Sequence, residues 1–326
     1  MNLHRRGLLI MGAAAPALAS ALPTMATTQS LAPADPTEMI RLWPDRAPGG
    51  EGVTVTPIVP ERSTDPAYRD RYAQYTTDPI ITVMRPERPN GSAMLLIPGG
   101  GYRWAVVDKE GFDVARVFAA SGTTCFVLRY RLPADGWTAG ADAPLQDAQR
   151  AIRLIRSRAA EFGVRPDRIA VLGASAGGHL AGLASARTDA TYAPVDDADA
   201  VSLRPDLTVL IYPVATMADP HVHAGSRTHL LGEAPSAARI AAYSLEQMNW
   251  TGAAPVFLLH AIDDASVPVE NSLMLLYTLK AASVKAEAHL FQEGGHGFGI
   301  RLIQGRPAAV WPELARAWAA RLDFAL

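Results

Sequence analysis

From residue 91 onward, apolar runs of strand length alternate with amphipathic stretches of helix length, and this alternation constrains the fold more than any other feature of the chain. Parallel strands need crossovers long enough to hold a helix, and strands buried on both faces are apolar throughout rather than at every second residue. The strands expected on this basis are Ala93–Ile97, Thr123–Tyr130, Arg168–Leu172, Leu207–Tyr212, Val256–His260 and Ala286–Phe291. Helices are expected over Gly111–Ala120, Leu145–Phe162, Ala176–Arg187 and Val269–Ala282, with a last one from about Ala308 to Phe324. In the second of these, Leu145, Ala148, Ile152 and Ile155 recur at helical spacing while Arg150, Arg153 and Arg156 face elsewhere, which marks one apolar face. The reading is α/β: a mostly parallel central sheet with helices on both faces.

The flanks are different in kind. Residues 27–91 are rich in Pro, Gly and Asp, with short β-branched pieces at Val53–Val59 and Ile80–Met84, and read as a strand-and-loop lead-in that ends at the turn signal Pro89-Asn90-Gly91. Residues 213–252 break the alternation and read as a cap-like insertion over the strand ends. No repeat or composition shift divides residues 27–326, so they are expected to form a single domain. Residues 1–26 are expected to be a signal peptide. Arg5 and Arg6 precede the apolar stretch Gly7–Ala15, and the small residues around Ala17-Leu18-Ala19 and Ala19-Ser20-Ala21 fit a cleavage rule, with cleavage between Ser20 and Gln29. The stretch is shorter than the ~20 residues of a membrane span and is interrupted by Pro16. The arginine pair before Gly7-Leu8-Leu9 resembles the twin-arginine export signal, which implies a periplasmic or extracellular protein with no membrane in its mature form.

Composition narrows the chemistry. With 30 Lys plus Arg against 32 Asp plus Glu and no basic stripe, the chain lacks the charge needed to neutralise many phosphates, so no nucleic acid partner is expected. The single cysteine, Cys125, lies inside the apolar run Thr124–Leu128, which excludes an internal disulfide framework and a cysteine-based zinc site.

The segment Arg168 to Leu180 runs from a strand through Gly173-Ala174-Ser175-Ala176-Gly177 into a helix. In that context Gly-x-Ser-x-Gly is a nucleophile elbow: the glycines leave room for a tight turn that lifts the Ser175 hydroxyl above the sheet. The N–H of Ala176 then stands at a helix N-terminus, where it stabilises a developing oxyanion. A serine needs a base and the base an orienting acid. Downstream, Asp263-Asp264 follows one strand and His296 lies in the glycine-rich loop after the last, both at the carboxyl ends of strands. After another strand, Gly99-Gly100-Gly101 supplies bare backbone N–H groups as the second part of an oxyanion hole. Among the other histidines, His179 is expected beneath the elbow, and His260 and His289 are expected to be structural. Asp219, His221, His223 and His229 lack a fixed fourth ligand, so no metal is expected there.

At this point the chain resembles the α/β-hydrolase superfamily, and within it the bacterial carbohydrate acetyl esterases often labelled xylan esterases or xylanases. The pieces that carry the resemblance are Leu42-Trp43-Pro44, Pro98 to Tyr102 with Lys109-Glu110-Gly111, Pro144 to Ala148, Gly173 to Leu180, the Asp-Asp-x-x-Val-Pro turn and Gly294 to Gly299. The resemblance implies a secreted serine esterase that removes acetyl groups from xylan-type carbohydrate esters without metal or cofactor, an acetylated oligosaccharide or small ester being its substrate. It implies Ser175 as nucleophile, His296 as base and Asp264, three residues before Val267, as the acid. Gly100 and Gly101 would donate to the oxyanion together with Ala176. Tyr102, Trp104 and Trp137 either stack on a sugar ring or pack the rim of the fold. Glu110 is expected to cap a helix or brace the glycine loop, and Asp147 to pair with a nearby arginine. A peptidase or amidase on the same triad, and a silent ligand-binding relative, are the alternatives. The oligomeric state is not legible.

Overall fold

A computed structural model describes residues 32–326; the expected signal peptide and its cleavage region lie outside the described residues. One eight-stranded sheet organises the molecule. Its strands are β1 (Met39–Arg41), β2 (Ile80–Met84), β3 (Gly91–Ile97), β4 (Thr124–Arg129), β5 (Val164–Ala174), β6 (Leu207–Ile211), β7 (Val256–Ala261) and β8 (Ala286–Phe291). Their spatial order is β1-β2-β4-β3-β5-β6-β7-β8. The pairs β1–β2 and β2–β4 are antiparallel and every other pair is parallel. The lead-in therefore adds two antiparallel strands to a parallel body. Of its other β-branched piece, only Ile58 pairs, through an isolated bridge to Gln74.

Among the described residues, seven α-helices flank the sheet: α1 (Asp113–Ala120), α2 (Ala143–Ser157), α3 (Ala176–Ala186), α4 (Ala224–Leu231), α5 (Ala237–Ala242), α6 (Glu270–Ala281) and α7 (Trp311–Ala320). The step from β3 to β4 moves along the sheet in one direction and the step from β4 to β5 in the other, so right-handed crossovers put α1 and α2 on opposite faces. On the α1 face, Phe118 meets Trp311 of α7 with ring centroids 5.8 Å apart. Helix α3 is buried over nearly its whole length, which its uncharged sequence permits. Helices α4 and α5 lie in the 213–252 insertion. Among the described residues no helix is long and apolar enough to cross a membrane.

Some boundaries depart from the expected ones for local reasons. The chain enters α1 through a π-helical turn, Asp108–Phe112, that buries the acidic side chains of Asp108 and Glu110. Strand β5 starts at Val164 because Gly91 pairs with that residue before the register shifts, although Arg165, Pro166 and Asp167 are exposed. Helix α2 ends at Ser157 and gives way to a 3-10 turn over Ala159–Phe162.

The lead-in is fastened to the core by charge. Buried Asp147 on α2 accepts from Trp43 Nε1 at 2.9 Å and pairs with fully buried Arg131 at 2.8 Å. Arg150 Nε donates to the Leu42 carbonyl at 2.8 Å. A buried guanidinium–carboxylate pair of this kind is tolerated because its remaining donors are also satisfied, here by the carbonyls of Pro48 and Ala143 and by Gln146. Asp147 thus takes an arginine partner, as the sequence suggests.

Candidate active site

Ser175 joins β5 to α3 with φ 54° and ψ −122°, a backbone conformation that L-residues rarely adopt. Its N–H donates to the Ile211 carbonyl at 3.1 Å, and its own carbonyl accepts from the N–H groups of His179 and Val214, each at 3.1 Å. The flanking glycines are sterically required. A Cβ on Gly173 would stand 2.2 Å from the Gly177 oxygen, and one on Gly177 would stand 2.0 Å from the Ile97 oxygen. The sequence motif thus fixes the turn because nothing larger fits between the elbow and β3.

Above the carboxyl ends of the strands, the three residues expected to act together are in hydrogen-bonded sequence. His296 Nε2 is 2.9 Å from Ser175 Oγ, and His296 Nδ1 is 2.7 Å from Asp264 Oδ2. The other oxygen of Asp264 accepts from the N–H groups of Ser266 and Val267, both at 2.9 Å. His260, at the end of β7, donates from Nε2 to the Val267 carbonyl at 3.0 Å and lies 3.3 Å from Asp264 Oδ2. Burial of Asp264 opposes its ionisation, but the hydrogen bonds from His260 and His296 outweigh that and hold the carboxyl well below the usual carboxylate range. An ionised Asp264 fixes the tautomer with the proton on His296 Nδ1, which leaves Nε2 free to accept the serine proton. Asp263 does not reach the imidazole; its Oδ1 accepts from the Gly295 N–H at 2.7 Å and so holds the loop that carries His296.

The glycine loop lies against the serine: a Cβ on Gly99 would be 2.8 Å from Ser175 Cβ. Gly100 has φ 129° and Gly101 φ 63°, and a Cβ on Gly100 would strike Trp104 at 2.3 Å. Among the described residues, the N–H groups of Gly100 and Gly101 make no hydrogen bond, and that of Ala176 opens α3, where no intrahelical acceptor exists. These are three unpaired donors beside one hydroxyl. The loop is held from behind. The Gly99 N–H donates to Glu110 Oε2 at 2.8 Å, and His229 Nδ1 donates to the Gly101 carbonyl at 3.0 Å. Glu110 also accepts from the Tyr212 hydroxyl at 3.2 Å, while that hydroxyl accepts from the Gly299 N–H at 3.1 Å. One buried carboxylate and one phenol thus connect the glycine loop to the histidine loop, with the Tyr212 ring against the His296 imidazole at 5.1 Å.

Two of the three aromatics considered for sugar stacking are elsewhere. Tyr102 is fully buried; its hydroxyl donates to His179 Nδ1 at 2.7 Å, and His179 Nε2 donates to the Tyr243 carbonyl at 2.6 Å, so the pair braces the underside of the elbow. Trp137 is buried against the lead-in with the Arg131 guanidinium 4.8 Å from its ring. Trp104 is half-buried beside Gly100, tilted against Tyr72 at 5.0 Å, and is the one of the three that flanks the glycine loop with its ring partly open. Tyr212, His260, His223 and His229 are site neighbours that sequence reasoning did not place. Tyr212 and His229 have partners more than 100 residues away, Glu110 and Gly101, whereas His260 and His223 bond within the turns that follow them. Among the described residues, no group of three His, Cys, Asp or Glu side chains is arranged to hold a metal.

Known proteins share this architecture. The crystal structure of an acetyl ester-xyloside bifunctional hydrolase from Caldicellulosiruptor lactoaceticus superposes with a TM-score of 0.71 at 34% identity, covering 89% of this chain and 97% of that one. An endo-1,4-beta-xylanase B from Butyrivibrio fibrisolvens is 32% identical over 207 residues, 64% of this chain and 32% of that protein. An acetylxylan esterase from Xylanibacter ruminicola is 29% identical over 219 residues, 66% of this chain and 42% of that protein. The chain matches only about a third to two-fifths of the length of these two curated relatives. The BD-FAE family matches residues 82–279, a stretch that includes the glycine loop, the elbow and Asp264. With that match over more than half of its length, and with this sheet order and elbow, the chain belongs to the BD-FAE family and has the α/β-hydrolase fold.

Proposed function

We propose that this protein is a serine carboxylic-ester hydrolase that removes acetyl groups from hydroxylated, carbohydrate-type alcohols. The observation that carries the reading is the unbroken chain Asp264–His296–Ser175 beside three unpaired backbone donors. Ser175 Oγ attacks the acetyl carbonyl as His296 Nε2 takes its proton, and the oxyanion is received by the N–H groups of Gly100, Gly101 and Ala176. The imidazolium, stabilised by Asp264, returns that proton to the departing alkoxide, which leaves an acetyl-serine. Water, deprotonated by His296, then attacks the same carbonyl and releases acetate, and the proton goes back to Ser175 Oγ.

The acetyl ester-xyloside hydrolase and acetylxylan esterase to which the chain is similar support a carbohydrate ester as substrate. The polar insertion, with Asp219, His221, His223, Arg227 and His229, suits a hydroxylated alcohol better than a lipid. Acetate release from a panel of acetylated xylo-oligosaccharides tests the reading, with 4-nitrophenyl acetate and 4-nitroacetanilide run beside it. Turnover of the oligosaccharides is expected; faster cleavage of the anilide would favour a peptidase or amidase, and no turnover of any of them would overturn the reading. We further propose that residues 27–326 act as a single exported domain. Replacing Arg5 and Arg6 by Lys is expected to leave the precursor in the cytoplasm, and unimpaired export would refute the twin-arginine route.

A further inference from the structure

His223 caps α4 from just outside the helix. Its backbone is extended, with φ −80° and ψ 100°, and its ring Nδ1 accepts the Ser226 N–H at 3.1 Å and lies 2.8 Å from Ser226 Oγ. A backbone N–H can only donate, so Nδ1 must be unprotonated and the ring proton must sit on Nε2. That nitrogen has no hydrogen-bond partner among the described residues and is not sealed from solvent. The ring stands beside the glycine loop. A Cβ on Gly101 would lie 3.7 Å from His223 Cε1. The charges that act on His223 belong to His296, Asp264 and His229.

These placements select one side of an ester. The carbonyl oxygen goes to the glycine loop, and the alcohol oxygen must face His296 to receive its proton. His223 stands beside Gly101 and near enough to His296 and Asp264 to feel their charge, so a donor on its ring is placed to serve the alcohol side. Building on the acetyl esterase reading, we infer that His223 is a specificity-determining residue whose Nε2–H donates to a hydroxyl oxygen on the carbon next to the esterified one. A polyol acetate has such a hydroxyl and a simple alkyl acetate does not.

The capping bond makes His223 suited to this task. Protonation of Nδ1 would set N–H against N–H and forfeit the cap. Burial, followed by the nearby His296 charge, independently holds the imidazole below its ordinary value. His223 thus stays a neutral donor and adds no positive charge that would oppose the imidazolium formed on His296 in each turnover.

The test compares kcat/KM on 2-hydroxyethyl acetate and on ethyl acetate, which differ in that hydroxyl alone. The native enzyme should prefer the hydroxylated ester by about tenfold, the size of one well-made hydrogen bond. His223→Ser and His223→Asn both keep a capping side chain, so α4 keeps its start and the preference for the hydroxylated ester should collapse to about one, with the larger loss on 2-hydroxyethyl acetate. A preference that survives in both variants, or its absence in the native enzyme, would overturn the assignment. Equal losses on the two esters would also overturn it, since they would make His223 only a support for α4. If acetylated oligosaccharides prove not to be substrates, the carbohydrate reading falls, while the ratio between these two small esters still decides the role of His223.

Discussion

Acid should unfold this protein partly through one imidazole that takes no part in the chemistry. His179 is fully buried under the elbow, between the Tyr102 hydroxyl and the Tyr243 carbonyl. Burial is the main cause that lowers its pKa from 6.5 to about 4, against a smaller opposing effect of the hydrogen bond to Tyr243. The unfolded chain therefore binds a proton near pH 6.5 that the folded chain refuses until about pH 4. The stabilisation is complete above the unfolded value and is lost as the pH falls towards the folded one. With ~1.4 kcal/mol per pKa unit, roughly 2 kcal/mol is lost by pH 5 and roughly 3 kcal/mol once both states are protonated. Urea unfolding of the native protein and of His179→Gln at intervals between pH 7.5 and 4.5 isolates this contribution, because the variant lacks the titrating group. The destabilisation caused by the substitution should shrink by about 2 kcal/mol between pH 7.5 and 5. A difference between the two proteins that is independent of pH would refute the argument.

Ser175→Ala should reduce ester turnover by ~10⁴ to 10⁶-fold with an unchanged unfolding transition, since nucleophile and base act as a unit; activity within tenfold of native would exclude Ser175 as the nucleophile. Asp264→Asn should cost about 10⁴-fold in kcat by reversing the imidazole tautomer, whereas Asp263→Asn loses only one bond to the Gly295 N–H and should cost less than about tenfold. If the two magnitudes are interchanged, the turn has been misread. On 4-nitrophenyl esters, kcat/KM should fall from acetate to butyrate and be negligible at octanoate. A lipase-like trench would instead gain roughly 0.8 kcal/mol for each added methylene, and a maximum at six or more carbons would refute the preference for acetyl.

What could be read in the sequence depended on how local its cause is. The central strands stand out because burial on both faces makes them apolar without interruption, as in Ala93–Ile97 and Val256–His260. The elbow is legible because Gly173 and Gly177 are demanded by contacts within a few residues or with the adjacent strand. The π-helical turn over Asp108–Phe112 was not legible, since Asp108 and Glu110 are acids that point inward toward partners in distant segments. Tyr102 and Trp137 could not be sorted from Trp104 by position alone. Tyr102 is withdrawn from the site by His179, 77 residues later, and Trp137 is covered by Arg131 and the lead-in. The role of Tyr212 depends likewise on which loops the sheet order brings together, since its hydroxyl bonds Glu110 and Gly299.

The fastening of the lead-in has a temporal side. Trp43 and Leu42 are held by Asp147 and Arg150, which follow them by 104 and 108 residues. On a ribosome adding 5–20 residues per second, that separation is a delay of roughly 5–20 seconds. Throughout it the first-made part of the domain has neither its anion nor its guanidinium, although β2 waits less than half as long for β4. The lead-in of a nascent chain is thus made early and docked late, and until α2 emerges its tryptophan is open to whatever holdase or protease is nearby.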